Sequence, residues 1–403
     1  MPKRLTVTLS PTPHADQERG PVASPHTPTL RDVAAAAGVA ASTASYALNG
    51  KGRVDAATRA RVQQIAHRLG YHPNRSAQTL RSHRTSTLAL MLPTPVLPAR
   101  EGLSSAAYLN FDWYGRVANI AAQSAFLADH SLLLLPSMKD PNGLRRIEMD
   151  GVLVVDPSTH DPRLDILTTR GIPSVAVGPG NAALFASCIT PDLATTTAML
   201  MNHLTEQGAR NILVLTPGTN SEWTRATTMA CIHWFRDRNI KPRISSHLTS
   251  FPGTHTVEYL AAAAYTTTRN ALTSKNPPDA ILSLALGAAP AAARAVHDLG
   301  LSVPGDVLIA QDIDEPALLT SGPPITAFDF FPEEQAATAV QVLLALVNGD
   351  EAAAHNLARS ELRMRASTGE HRIGNQRDTP RAQPSGRTLH QSPFPRPVTS
   401  TRA

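Results

Sequence analysis

Residues 29–81, TLRDVAAAAGVAASTASYALNGKGRVDAATRARVQQIAHRLGYHPNRSAQTLR, constrain the fold of this chain more than any other stretch. Thr29 is placed to cap a helix, and Asp32 stands three residues on, at the far position of a capping box. Leu30, Val33, Ala34 and Ala37 then recur at helical spacing and predict one apolar face. Gly38 follows, where a left-handed turn calls for a residue without a β-carbon. A second helix is predicted from about Ala41 to Asn49. At about 100° per residue, Ala41, Ala44, Ala47 and Leu48 fall on one arc, and Ser42, Ser45, Tyr46 and Asn49 on the opposite one. A face of short hydrogen-bonding side chains without a carboxylate suits a phosphate-lined groove.

A third helix is expected after Asp55 as its cap, packing through Val62, Ile65, Ala66 and Leu69 and stopping at Gly70. Helix, glycine turn, polar helix and third helix make a helix-turn-helix unit. Residues 73–80, PNRSAQTL, form a further short segment that can turn helical when something orders it.

Charge is unevenly placed. Residues 28–82 carry a net +6, residues 1–27 carry +1, and residues 372–403 carry +5, so the rest of the chain carries −7. A basic headpiece on an acidic body points to a polyanion partner for one part only. The chain has 403 residues, enough for two or three domains, and 42% of them are hydrophobic. No apolar run approaches the roughly eighteen residues of a membrane helix. Lys3 and Arg4 are followed by no apolar stretch, so no secretory signal is expected. Cys188 and Cys231 stand in no metal-ligand spacing and read as small buried hydrophobes in a reducing compartment.

Beyond the basic segment, short apolar runs at 87–92, 131–135, 151–155 and 173–178 alternate with helix-length segments. The pattern restarts near Asp192, with strands expected at 211–215, 280–284 and 307–310 and helices at 195–207, 225–236 and 288–299. Two successive β/α sets imply two similar lobes, each with a parallel sheet, and a cleft at the carboxyl ends of the strands. No nucleophile–base pair, phosphate loop or metal cluster stands out, so neither an enzyme nor a cofactor is expected.

The basic segment resembles the DNA-binding headpiece of LacI-type transcriptional regulators, the lac repressor family. The residues that carry the resemblance are Thr29–Ala34, Ala37–Val39, Ser42–Ser45, Leu48–Asn49, Gly70–Asn74 and Ala77–Leu80. The later part resembles the two-lobed type I periplasmic-binding-protein fold of the same family, through Asp150–Val154, Arg170–Val175, His203–Ile212, Pro278–Ile281, Asp298–Val307, Pro324–Ala327 and Leu362–Thr368. The resemblance spans about residues 29–370. It implies an all-α headpiece with a hinge helix, joined to an α/β two-lobed core that binds an effector and dimerises. The organisation then expected is a disordered extension at 1–27, the headpiece at 28–72, the hinge helix at 73–83, the core at 84–371 and a disordered basic tail at 372–403. Lobe one would take about 84–190 and 325–357, and lobe two about 191–324 and 358–371, with crossings near 190, 325 and 358.

The resemblance also implies site residues. Ala41, Ser42 and Tyr46 occupy base-reading positions. Thr29, Thr43, Ser45, Asn49, Arg53, Thr58, Tyr71 and Asn74 match positions that hold phosphates, with Leu30 and Arg75 beside them. Leu80 matches the leucine that wedges into the minor groove, next to Ala77. For the effector, Trp113, Tyr114, Arg225, Asp312 and Asp314 fall near pocket positions. Trp113 and Tyr114 are equally compatible with a core role, and Arg225 with a solvated helix start. Gly178, Ala285 and Leu286 stand where polar groups are usual, which argues against a sugar and leaves Arg225 to hold an anionic or carbonyl-bearing ligand. The implied partners are double-stranded DNA carrying a near-palindromic operator, a small-molecule effector and a second copy of the chain, in the cytoplasm and without a membrane. The function expected is that of a dimeric repressor. An activator or an effector-unresponsive regulator is the alternative within the family, and an exported solute receptor the alternative outside it.

Overall fold

The computed structural model describes residues 28–48, 52–71, 84–93, 111–135, 141–158, 160–219, 221–245, 257–351 and 355–369. The chain divides into two compact units, one of Met1–Thr87 with Glu148–Asp150 and one of Leu88–Ile147 with Gly151–Ala403.

Among the described residues, the first unit holds three helices, α1 (Leu30–Ala37), α2 (Ala41–Leu48) and α3 (Ala56–Leu69). Their ends form where local chemistry places them. The Thr29 hydroxyl accepts from the Asp32 amide while the Asp32 carboxylate accepts from the Thr29 amide at 2.7 Å, a complete capping box. Gly38 and Gly70 both adopt φ of 64°, the left-handed stop expected at each. Asp55 caps α3 by accepting from the Thr58 amide at 2.8 Å. The core is small: Val33, Ala34, Ala37, Ala44, Ala47, Val62, Ile65 and Ala66 are buried, with Leu30, Val39, Leu48, Val54 and Tyr71 packed around them. Alanines at 44 and 47 let α2 sit close to its neighbours. Two expectations fail here. Ala41 is exposed rather than part of the buried arc, because the first turn of α2 projects past the core. Leu69 is 38% exposed, since it belongs to the last turn of α3 before Gly70.

The second unit is α/β with two six-stranded sheets. The first sheet comprises β1 (Thr87–Met91), β2 (Ser131–Leu135), β3 (Gly151–Val155), β4 (Ser174–Val177), β5 (Ser187–Thr190) and β11 (His355–Leu357), in the order 2-1-3-4-5-11. The second comprises β6 (Ile212–Leu215), β7 (Ile244–Ser245), β8 (Ala280–Ser283), β9 (Leu308–Ile313), β10 (Thr326–Asp329) and β12 (Glu361–Arg363), in the order 7-6-8-9-10-12. Pairing is parallel from β1 through β3, β4 and β5 to β11, and from β7 to β10, with β12 antiparallel to β10. Both orders turn back beside the first strand, which makes a switch point where such sheets bind ligands. Helices α4 (Asp112–Leu127), α5 (Pro162–Thr169) and α11 (Pro332–Asn348) belong to the first lobe. Helices α6 (Leu193–Glu206), α7 (Glu222–Asp237), α8 (Val257–Leu272) and α9 (Ala288–Asp298) belong to the second, where the short α10 (Pro316–Leu319) follows β9. The central strands β3, β4, β6 and β8 are buried at every residue, as continuous apolar runs in a two-sided sheet require.

The chain passes between sheets after β5, after β10 and between β11 and β12. The second passage therefore lies after Asp329 and not near 325: β10 pairs with β9, so Thr326–Asp329 belongs to the second lobe. The first and last strands beyond the clear apolar runs, β5, β7, β11 and β12, have no sequence signal of their own. Residues 1–27, 73–83 and 372–403, read as extension, hinge helix and tail, lie outside the described residues.

Helix α11 approaches β3 so closely that a β-carbon on Gly151 would stand 2.8 Å from Leu343 Cδ1 and 3.1 Å from Val347 Cγ2. Leu343 is fully buried. Gly151→Ala is expected to destabilise the second unit by about 1–3 kcal/mol through overpacking. Urea unfolding followed by tryptophan fluorescence reads this out; an unchanged midpoint would mean that α11 yields freely.

Candidate functional site

Two regions gather the sequence-expected residues. The first is the outward side of α2. Ala41 and Ser42 are exposed, Thr43 and Ser45 half-buried, and Tyr46 is 50% exposed. The Tyr46 ring lies against Gly52, where a β-carbon would stand 3.2 Å from Tyr46 Cγ. Gly52 has φ of 73°, so both its conformation and this contact favour glycine. No acidic residue lies in the first turn of α2, which leaves the positive end of the helix open to a phosphate. Arg53 is exposed and Thr58 half-buried. Thr29 is exposed, but its hydroxyl also bonds Asp32 Oδ2 at 2.8 Å, so a phosphate there would compete with the cap. Leu30 and Tyr71 pack against the headpiece core, and burial raises the Tyr71 phenol above its ordinary range. Asn49, Asn74, Arg75, Ala77 and Leu80 lie outside the described residues.

The second region is the cleft of the two-lobed unit, at the carboxyl ends of the strands. Trp113 and Tyr114 open α4 and are buried. The Tyr114 hydroxyl donates to Asp156 Oδ2 at 2.9 Å. Asp156 directly follows β3 with φ of 45°, a left-handed conformation that costs a non-glycine residue about 1–3 kcal/mol. From the second lobe, the Glu222 amide donates to the Pro157 carbonyl at 2.9 Å, and Ser158 and Ser221 form an antiparallel bridge. These contacts bring the start of α7 against the end of β3. The Trp223 indole lies at this junction. Its ring lies 6.1 Å from that of Trp113 and 5.1 Å from that of Phe330, and its Nε1 donates to Asp312 Oδ2 at 3.2 Å.

Burial dominates the electrostatics. It pushes the Asp156 carboxyl up to about 6, against the opposing effect of hydrogen bonds from Tyr114, Ser221 and the Trp223 amide. It pushes Asp312 up to about 7, against the Trp223 hydrogen bond. The nearby acids Glu222 and Glu315 raise the two groups further.

The other effector candidates lie elsewhere. The Arg225 guanidinium is 62% exposed and pairs with Glu222. Asp314 forms an ion pair with Arg365, whose guanidinium also donates to the Ile325 carbonyl. Gly178 stands beside Asp156 and Trp223 with φ of 108°, a conformation closed to an acidic side chain. Ala285 is buried and Leu286 packs against the core. Asp156, Ser221, Trp223 and Phe330 were not among the expected site residues. An acid immediately after a buried parallel strand was the available signal for Asp156.

Cys188 and Cys231 are buried and free, and burial raises the Cys231 thiol to about 12. Among the described residues no group of three or more His, Cys, Asp and Glu is placed to hold a metal ion, and no helix is long and apolar enough to cross a membrane.

The two regions match known families in the same order. The model of bacterial regulatory proteins of the lacI family matches residues 29–74, and that of a periplasmic binding protein-like domain matches residues 201–368. Among curated relatives, catabolite control protein A of Staphylococcus xylosus is 23% identical, over 71% of this chain and 82% of its own length. The HTH-type transcriptional regulator AglR of Rhizobium meliloti is 26% identical, over 84% of this chain and 94% of its own. The fold matches that of the lac repressor dimer bound to operator and the anti-inducer ONPF, with a TM-score of 0.68, 20% identity, and coverage of 85% of this chain and 99% of that one. It also matches the transcriptional regulator CelR in its cellobiose complex, with a TM-score of 0.58, 22% identity, and coverage of 84% and 99%.

Asp156 and Asp312 hold protons in the folded chain that an unfolded chain releases near pH 4. Their stabilising contribution is therefore full below about pH 4 and is lost as pH rises through about 6 and 7. Asp312→Asn should flatten the fall in melting temperature near neutral pH and leave the variant more stable than the wild type at about pH 8. A parallel fall in both proteins, followed calorimetrically, would contradict this.

Proposed function

We propose, for a chain that belongs to the lacI family of bacterial regulatory proteins, that it acts in the cytoplasm as a dimeric, sequence-specific repressor whose operator affinity follows a small molecule in the cleft. The DNA-binding regulator is common to the family; the repressor, the dimer and the effector are the proposal. The observation that carries it is the carboxylate-free, exposed side of α2, presented by a headpiece of net charge +6. Ala41, Ser42 and Tyr46 then read bases, with Tyr46 the longest reach of the three. Ala41 offers a methyl contact suited to thymine, and Ser42 accepts either sense of hydrogen bond. Thr43, Ser45, Arg53 and Thr58 hold the backbone, together with Asn49, Asn74 and Arg75. Leu80, with Ala77 beside it, supplies the minor-groove wedge that the family resemblance implies.

A second copy of the chain is the occupant proposed for an apolar edge of the first lobe. Phe126 and Leu127 at the end of α4 are 76% and 85% exposed, and Leu133 and Leu134 on the edge strand β2 are 37% and 39% exposed. An exposed apolar edge strand calls for a cover, and a two-fold pairing of the same patch fits a near-palindromic operator. The effector then acts by favouring one arrangement of the lobes over another.

Operator fragments recovered by genome-wide mapping provide the test. Binding should fall steeply with salt, by roughly 10³–10⁵ between about 50 and 200 mM if 6–10 phosphates are held. Tyr46→Ala should relax the preference at one base step per half-site by about 1–3 kcal/mol without unfolding the headpiece, since the ring is half exposed. A salt-independent affinity, or unchanged base preference in Tyr46→Ala, contradicts the reading. Loss of the gene should raise transcription next to the mapped sites if the protein represses.

A further inference from the structure

Three buried polar atoms in the cleft make no hydrogen bond: Asp156 Oδ1, Asp312 Oδ1 and Trp113 Nε1. Their residues are 8%, 3% and 3% exposed. They belong to one aromatic enclosure, because Tyr114 bonds Asp156, Trp223 bonds Asp312, and the Trp113 and Trp223 rings lie 6.1 Å apart. Two of the three atoms are carboxylate oxygens, and the next acids, Glu222 and Glu315, add like charge. Arg225 turns outward to Glu222, and Arg365 pairs with Asp314. Arg163 pairs with Asp161, and its Nη1 is a further buried atom without a hydrogen bond.

Resting on the regulator reading above, we propose that the effector of this cleft is an organic cation, a compact ligand with a protonated or quaternary amine. Its charged nitrogen faces Asp156 and Asp312, and its carbon skeleton lies against Trp113, Trp223 and Phe330.

The charge balance decides among ligand classes. A neutral polyol can bond the three open atoms but leaves the charge of the two buried carboxyls to be relieved by protonation alone. An anion adds a third like charge. A monocation offsets one of the two carboxylate charges, leaves the other carboxyl to hold its proton, and also gains from the indole faces. Arg225, the residue that pointed to an anionic ligand from sequence, has no part in this enclosure. Without the cation the protein relieves the same conflict by protonation, as the raised carboxyls show. Binding the cation therefore releases protons. The groups that share this balance are Tyr114, Ser221 and Glu222 around Asp156, and Trp223, Cys231 and Glu315 around Asp312.

The test uses the full chain and a set of matched probes. Phenethylamine, 2-phenylethanol and phenylacetate share a shape and differ in charge; choline and putrescine widen the cations, and cellobiose stands for neutral sugars. Melting temperature and calorimetric affinity are measured at about pH 8 and about pH 5.5. At least one amine should raise the melting temperature at the higher pH, bind about tenfold or more weakly at the lower pH, and lose its effect in both Asp156→Asn and Asp312→Asn. The Asn variants keep the side-chain shape, and their own melting temperatures report whether they fold. Stabilisation by cellobiose or phenylacetate with none from the amines overturns the proposal, as does the absence of any amine effect at about pH 8. Operator binding by the ligand-free protein is measured beside these. If an amine binds while the operator does not, the regulator reading fails and the cation site stands; the reverse result fails the cation site alone.

Discussion

The burial of the Trp223 indole is the contact on which the arrangement of the two lobes depends. Trp223 stands at the start of α7, where its ring meets Trp113 of the first lobe and Phe330 on the last crossing but one, while its Nε1 reaches Asp312. Aromatic pairs of this kind contribute about 0.5–1.5 kcal/mol each beyond the area they bury. The Glu222–Pro157 backbone bond and the Ser158–Ser221 bridge fix where the helix starts, and so fix where the indole lies. The same closure takes Asp156 and Asp312 out of water. The contacts that join the lobes and the burial that raises these carboxyls therefore fall at one place.

Much of the fold was legible because its signals are local. The capping box at Thr29 and Asp32, the glycine stops at 38 and 70, and the Asp55 cap each act within four residues. The buried central strands are short apolar runs that a parallel sheet requires. The edge strands were not legible, because pairing alone makes them strands. Ile244 and Ser245 become β7 only beside β6, and Glu361–Arg363 becomes β12 only beside β10. The crossing near 325 was displaced for the same reason: Thr326–Asp329 has no stronger claim to one sheet than to the other until β9 pairs with it.

The cleft was legible only in part, and the helical repeat explains why. Trp223 and Arg225 are two residues apart, about 200° around α7. A helix that turns Trp223 into the enclosure must turn Arg225 outward, where its exposed guanidinium pairs with the largely buried Glu222. Position in a family pattern suggested the arginine; the apolar neighbour two places earlier carries the contact. Asp156 escaped notice because it looked like the end of a strand. Its left-handed backbone is what brings the carboxyl under the Tyr114 hydroxyl. Trp113, Tyr114 and Asp312 do stand in the enclosure, whereas Asp314 is taken by Arg365.

The two candidate sites differ in how freely their chemistry can vary. In the headpiece, packing and recognition are divided between different residues of one helix. Ala44 and Ala47 are fully buried and hold α2, while Ser42 and Tyr46 face outward. Under the proposal, substitution on the outward side would change base contacts at little cost to the fold. In the cleft no such division exists. The ring of Trp223 packs, its Nε1 bonds, and its backbone amide favours the ionised Asp156, all from one residue. A change of ligand chemistry at that position also changes closure. Under the proposal, selectivity for a small molecule would be tied to stability in a way that base contacts would not, and the orphan oxygens of Asp156 and Asp312 are where ligand contacts could be gained without giving up a bond already made.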